Sequence, residues 1–298
     1  MSTILTAARH ELLASVRAKA PYALVAAFLG MVAASTFIGW RTSVTVTSIY
    51  DQVLADGLTT QPNPFTDVSP LYYVRNTVIY VLLIGSLMAA TLGVQSALRD
   101  RKAETAALIG TRPVDGRALR AGRLLGLGLL LAALVGITQI ITWISVSALV
   151  GGPLSASETL AIAGFGVITW LLLIGFAGIG VLSGRLLRRE RTALLAPVVA
   201  WAVIAFVIPQ LGTAARPVSL LNPVPLPAQD SGAFSWLSQV LSPLAITEHF
   251  KTASAALLES SSTGSPLASA LIVALFACLA LAAAVLIRAD RTTGGTHE

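Results

Sequence analysis

Long apolar stretches alternate with short polar ones along this chain. Six of them, at residues 22–40, 74–98, 124–150, 159–182, 192–211 and 266–287, have the length of a membrane-crossing helix. A helix needs ~20 consecutive apolar residues to cross the hydrocarbon core, and no predicted span carries a charge at its centre. Ahead of them, Ile4, Leu5, Ala8, Leu12, Leu13 and Val16 recur at helical spacing, with His10, Glu11 and Arg17 on the other side. That pattern predicts an amphipathic interfacial helix over residues 2–20, with Ser2 as N-cap and Pro21 bending the chain into span one. The long apolar face and mixed-sign charges do not fit a cleaved signal peptide.

Two long segments separate spans. Residues 41–73 are expected as a polar loop that ends in QPNPFTDVSP, with Tyr72, Tyr73 and Tyr80 as interfacial aromatics. Residues 212–265 begin proline-rich and continue as FSWLSQVLSPLAITEHFKTASAALL. That piece is too polar for a span and too apolar for a loop, which predicts interfacial or re-entrant helices broken at Pro243. Pro197 and Pro209 fall inside span five, where they kink or stop a helix. Gly151, Gly152 and Pro153 predict a tight turn after span three. The expected fold class is an all-α polytopic membrane protein, with residues 1–298 forming one membrane domain.

Composition agrees with that pattern. Hydrophobic residues make up 55% of the chain and charged ones 11%, against ~25% charged in an ordinary soluble domain. Mean hydropathy is +0.79. The net charge of +6 is spread over short segments between apolar runs and forms no continuous basic face, so no nucleic-acid partner is expected. The single cysteine, Cys278, excludes an intrachain disulfide. His10, His249 and His297 lack metal-ligand spacing, and no bound metal is expected.

Charge placement orients the chain. With the N-terminus inside, sixteen of the 20 basic residues fall on inner segments, and only Arg41, Arg75, Arg216 and Lys251 fall outside. The positive-inside rule then puts both termini in the cytoplasm of a cell whose inner membrane holds the chain. Residues 99–123 form the strongest charged segment, with Arg99, Arg101, Lys102, Arg112, Arg117, Arg120 and Arg123 against Asp100, Glu104 and Asp115. Lys102 to Ile109 can form a short helix there, and Gly110 and Pro113 fit its stop. Such a segment either contacts a cytoplasmic partner or reflects topology alone.

No catalytic set is present: there is no HExxH, no paired intramembrane carboxylates and no Ser/His/Asp group in a span. The glycine-rich GRLLGLGLL (Gly122, Gly126, Gly128) has no preceding strand and no P-loop lysine, so it reads as helix packing. No nucleotide or other cofactor is expected on this chain. Ion-coupled transport usually needs an ionisable group in mid-membrane, and the span centres have none. Thr138, Thr142 and Ser145 line one side of span three, with Gln139 near, either for interhelical hydrogen bonds or as a substrate-facing stripe.

The order of an amphipathic N-terminal helix, six spans, a charged loop between spans two and three, and broken helices between spans five and six resembles type-2 ABC exporter permeases. Within the inner loop, Thr105, Leu108, Ile109, Arg112-Pro113-Val114, Arg117 and Gly122-Arg123 resemble the pattern of NosY-like permeases and of related subunits of multicopper-enzyme maturation. Glu104 replaces a glycine of that pattern, one extra residue precedes Arg117, and Arg123 replaces a lysine. Residues 8–19 and Leu241-Ser242-Pro243-Leu244 are similar to it as well.

The resemblance implies a permease that pairs with a second copy or close paralogue and docks two ABC ATPase subunits, which hold the ATP. It implies that the 99–123 segment contains the coupling helix, with Arg101, Lys102, Glu104, Thr105, Leu108 and Arg112 toward the ATPase. An accessory or immunity protein of the same fold without transport, and less so an intramembrane enzyme, are the alternatives.

Overall fold

The computed structural model describes residues 3–18, 22–61, 63, 69–99, 115–212, 221–226, 231–232, 235–258 and 264–287. Among them every regular element is helical. Helix α1 spans Thr3–Arg17, and α2 spans Tyr22–Ala55. Then follow α3 (Pro70–Arg99), α4 (Gly116–Val150), α5 (Ala156–Leu186) and α6 (Glu190–Gly212). Two short helices, α7 (Ser235–Leu241) and α8 (Ile246–Leu257), precede α9 (Pro266–Leu286). The six helices α2, α3, α4, α5, α6 and α9 are long and apolar enough to cross a membrane.

Local chemistry sets the helix ends. The Asp115 carboxylate accepts the backbone N–H of Arg117 at 2.9 Å and of Ala118 at 3.4 Å, which starts α4. These N–H groups hold the Asp115 carboxyl below its ordinary pKa. Ser155 and Glu158 form a reciprocal capping box at the start of α5. Ser265 caps α9, and Pro266 takes its first position. Gly151 ends α4 in the left-handed conformation at φ 79°.

The core is built on α3 and α5. In each, 67% of the most apolar window is buried, against 22% for α2 and α6. The two backbones touch. A Cβ on Gly93 would lie 2.1 Å from the Ala177 carbonyl oxygen, and one on Gly180 would lie 2.0 Å from that of Ala90. Small residues allow this approach, and close packing replaces the hydrophobic effect as the force between spans. Phe28, Leu82, Met88, Leu172, Leu173 and Phe176 fill the space around the seam.

Three features depart from the hydropathy pattern. First, α2 does not stop near Trp40 but continues to Ala55. Its 34 residues reach ~51 Å, well beyond a ~30 Å hydrocarbon core. Residues 41–55 contain neither Gly nor Pro, and Thr45 and Ser48 satisfy their hydroxyls on carbonyls of their own helix. A polar composition was expected to mean loop, yet nothing in it breaks a helix. Second, α4 begins at Gly116, so the last third of the charged 99–123 segment is the base of span three.

Third, α3 and α6 each contain a π-turn, at Val81–Gly85 and Val203–Val207. Pro209 follows the second one and cannot donate to Ala205, so a wider turn accommodates its ring. Trp201 of α6 donates its indole N–H to Ser86 Oγ at 2.8 Å and to the Leu82 carbonyl at 3.2 Å, beside the first π-turn. The broken helices after span five appear as expected: α7 ends at Leu241, a 3-10 turn holds Pro243, and α8 resumes at Ile246.

Leucine at Gly93 or Gly180 meets backbone atoms that cannot move aside, and overpacking of this kind costs ~1–3 kcal/mol or more. Leucine at Gly136, which has nothing within 4 Å, serves as control. Size-exclusion profiles and thermal melts in detergent should show losses for Gly93→Leu and Gly180→Leu and none for Gly136→Leu. Equal behaviour of all three would refute the seam.

Candidate functional site at the basic end of the bundle

The expected ATPase-contact residues Arg101, Lys102, Glu104, Thr105, Leu108 and Arg112 lie outside the described residues. The structure describes what holds that segment at each end. On one side α3 ends at Arg99, and on the other Asp115 opens α4. Helix α1 packs against both.

Its seat on α4 is a glycine groove. A Cβ on Gly122 would lie 2.5 Å from the Ile4 carbonyl oxygen, and one on Gly126 would lie 2.4 Å from that of Ala8. The two glycines are one turn apart on α4, and so are Ile4 and Ala8 on α1, so the helices run side by side in the same direction. Gly128 serves a different contact, facing Ile174 of α5. The glycine-rich motif is therefore a packing device. Helix α1 lies along the base of span three with Ile4, Leu5, Leu13 and Val16 exposed on its outer surface.

Its inner face carries a charge that the periodicity pattern assigned to the polar side. Glu11 is only 3% exposed and forms an ion pair with Arg99. Arg99 also donates to Ser15 Oγ at 2.9 Å, and the Ser15 hydroxyl donates to Glu11 Oε1 at 3.1 Å. The Arg123 guanidinium lies within electrostatic reach of both Glu11 and Arg99. One buried carboxylate thus ties α1 to the last residue of α3 beside the glycine seat on α4. The sequence signal was present, because Glu11 falls one turn after Ala7 and Ala8 and one turn before Ser15, a small-residue stripe with a charge in it.

The same end of the bundle gathers more arginines. Arg120 donates its Nε–H to the Val285 carbonyl at 2.8 Å, and Arg185 donates to the Ala284 carbonyl. They occupy carbonyls in the last turn of α9, which a helix leaves without internal partners.

The polar stripe on span three sits inside the subunit. Thr138 and Thr142 are buried and Ser145 is half-buried. Thr138 donates its hydroxyl to the Val135 carbonyl of its own helix at 2.6 Å. Gln139 lies over Gly166 of α5.

At the far end, α8 holds polar residues that the hydropathy pattern did not mark as a site. Lys251 is fully buried and donates to Glu248 Oε1 at 2.7 Å, while Glu248 Oε2 accepts the Leu226 N–H at 3.0 Å. Burial pushes the Lys251 ammonium below its ordinary pKa, and Glu248 works against that shift. His249, hydrogen-bonded to Ser269 at 3.2 Å, is likewise lowered by desolvation. The i,i+3 spacing of Glu248 and Lys251 in a semi-apolar helix was the available signal. Among the described residues no group of His, Cys, Asp and Glu has the arrangement of a metal centre.

A family profile described as ABC-2 family transporter protein matches residues 5–291. The chain belongs to the ABC-2 transporter family. No curated relative matches it. Members of this family are the membrane component of ABC transporters, so the six apolar helices are those of a multi-pass permease.

Removing Arg99 leaves the Glu11 carboxylate, 3% exposed, without its cation, which costs ~3 kcal/mol or more, whereas Arg99, 27% exposed, still reaches water when Glu11 is removed. Arg99→Leu should therefore lower the melting temperature of the purified permease more than Arg99→Leu combined with Glu11→Ala. A double mutant as unstable as the sum of the singles would show that the two side chains are not coupled.

Proposed function

We propose that this permease is the membrane half of an exporter driven by ATP hydrolysed on a separate ATP-binding-cassette subunit. The observation that carries the proposal is the family membership together with a charged segment anchored at both ends. Span two, span three and the N-terminal helix meet at Glu11 and at the glycine seat, so a push on residues 100–114 reaches three helices at once. The chain has no P-loop, and its largest basic segment, residues 99–123, falls between spans two and three. The positive-inside count supports placing that end, and both termini, in the cytoplasm.

In this reading Arg101, Lys102, Glu104, Thr105, Leu108 and Arg112 contact the ATPase. Two permease halves, identical or closely related, pair and carry one ATPase each. ATP-driven closure of the motors rocks spans one, two and five, and the substrate path runs between the halves. The π-turns of α3 and α6, bridged by Trp201, support a pivot there, because π-turns often mark functional positions in helices. Thr138, Thr142 and Ser145 stay our proposed path lining. Their burial within the subunit means that exposure to substrate requires α4 to separate from its neighbours.

The NosY-like likeness suggests delivery of sulfur or copper species to an extracytoplasmic metalloenzyme, and lipids, peptides and small drugs fit the chain equally well as substrates. A copper path has little support, since the soft ligands Met1, Met31, Met88 and Cys278 are scattered along the chain.

Reversing the charges of Arg101, Glu104 and Arg112 together should lower co-purification of a co-expressed candidate ABC ATPase at least tenfold, while membrane insertion stays normal. Normal complex yield and normal ATP turnover with the triple variant would overturn the coupling assignment.

A further inference from the structure

An apolar groove of about 360 Å³ opens between α4, α5 and α9 at the basic end. It is lined by Leu124, Leu125 and Leu129 of α4, Trp170 of α5, and Leu281 and Val285 of α9, among other apolar residues. Leu125 and Leu129 are 43% and 50% exposed, so the groove faces the surroundings of the bundle. Along α4 its lining runs from Ala121 to Ala132, which is ~16 Å of helix and matches one leaflet of a ~30 Å hydrocarbon core. The one polar group on its wall, the Trp170 indole N–H, is spent on the Gly128 carbonyl at 2.9 Å.

The mouth of the groove is cationic. Arg120 stands one turn below Leu124 on the same face of α4, and its Nε–H holds the carbonyl of the groove residue Val285. Its Nη2 is buried and has no hydrogen-bond partner among the described residues. Arg185, on the neighbouring carbonyl of α9, lies within electrostatic reach of both Arg120 and Arg123. Among the described residues, two carboxylates near this end have other partners. Glu11 pairs with Arg99, and Asp115, within reach of Arg117 and Arg120, caps the start of α4. Arg120 of α4 and Arg185 of α5 therefore hold adjacent carbonyls of α9 at the end of an apolar slot one leaflet deep.

We propose that this groove binds an anionic phospholipid of the adjoining leaflet, with one acyl chain between α4 and α9 and the phosphate against Arg120 and Arg185. Charge complementarity selects the headgroup, and the groove selects a lipid over a free anion. Basic pockets between spans are known to hold anionic headgroups. The proposal requires only that the bundle spans a membrane, and it is independent of the ATPase reading. A lipid here would touch the base of span three and the end of span six, next to the anchored segment.

The test is native mass spectrometry of the purified full-length chain with phosphatidylglycerol or phosphatidylcholine of the same acyl chains. Wild type should retain phosphatidylglycerol at least fivefold better, and Arg120→Gln should cut that retention about fivefold, the effect of one basic residue near a membrane surface. Arg120→Lys, which keeps the charge, should restore most of it. Ala132→Trp, which fills the slot without touching an arginine, should abolish retention of both lipids.

Equal retention of the two lipids, or indifference to both Arg120→Gln and Ala132→Trp, overturns the site. Displacement by millimolar inorganic phosphate that is unchanged in Ala132→Trp would make it a free-anion site instead. Covalent dimers from Leu125→Cys in a Cys278→Ala background would mean that a second copy covers the groove. Either result contradicts the lipid assignment. Unaltered elution of each variant confirms that it is folded.

Discussion

A carboxylate buried at the edge of a membrane bundle is costly unless it is paired, and Glu11 is paired with Arg99 and hydrogen-bonded by Ser15. Much at the basic end depends on this arrangement. Helix α1 carries Ile4, Leu5, Leu13 and Val16 outward, so lipid alone would let it float in the interface. The ion pair fixes its azimuth, and the glycine seat at Gly122 and Gly126 fixes its distance from span three. Neither would be enough alone. A glycine groove permits close approach but not a unique register, and an ion pair near water is weak without packing around it. Together they turn three helix ends into one rigid frame, and residues 100–114 join two of those ends in sequence.

The rest of the bundle is built around a seam between spans two and four. Spans two and four share backbone contact at Gly93 and Gly180 and form one packed body. Spans one and five bury much less of themselves and pack around this core. The π-turn in span two faces span five through Trp201, which satisfies the Leu82 carbonyl there. At the opposite end, the buried Glu248–Lys251 pair ties α8 to the chain at Leu226.

The sequence displayed the six spans well because hydropathy reports burial in lipid directly, and no charge interrupts any span centre. The break at Pro243 and the turn at Gly151 were legible for the same local reason, a residue whose backbone demands it. Periodicity was less informative where two solvents compete. In α1 it sorted residues into apolar and polar sides and put Glu11 with Arg17, but the true division is between a lipid face and a small-residue packing face. Composition misled at residues 41–55, where Thr and Ser are polar without being helix breakers in this setting. The Glu11–Arg99 pair spans 88 positions, and such pairing is invisible to any local pattern. The residues proposed for ATPase contact rest on charge and resemblance rather than on geometry.

The central claim is that the segment joining spans two and three receives the motor. It is tested most directly by site-specific crosslinking in native membranes. Leu108→Cys in a Cys278→Ala background would be paired with a single cysteine on the surface of the co-expressed ATPase. The account predicts a covalent permease–ATPase adduct whose yield changes when ATP is trapped on the motor. It also predicts no adduct from a cysteine at Leu244, at the far end. An adduct from Leu244, or none from Leu108 in a complex that still hydrolyses ATP, would contradict it.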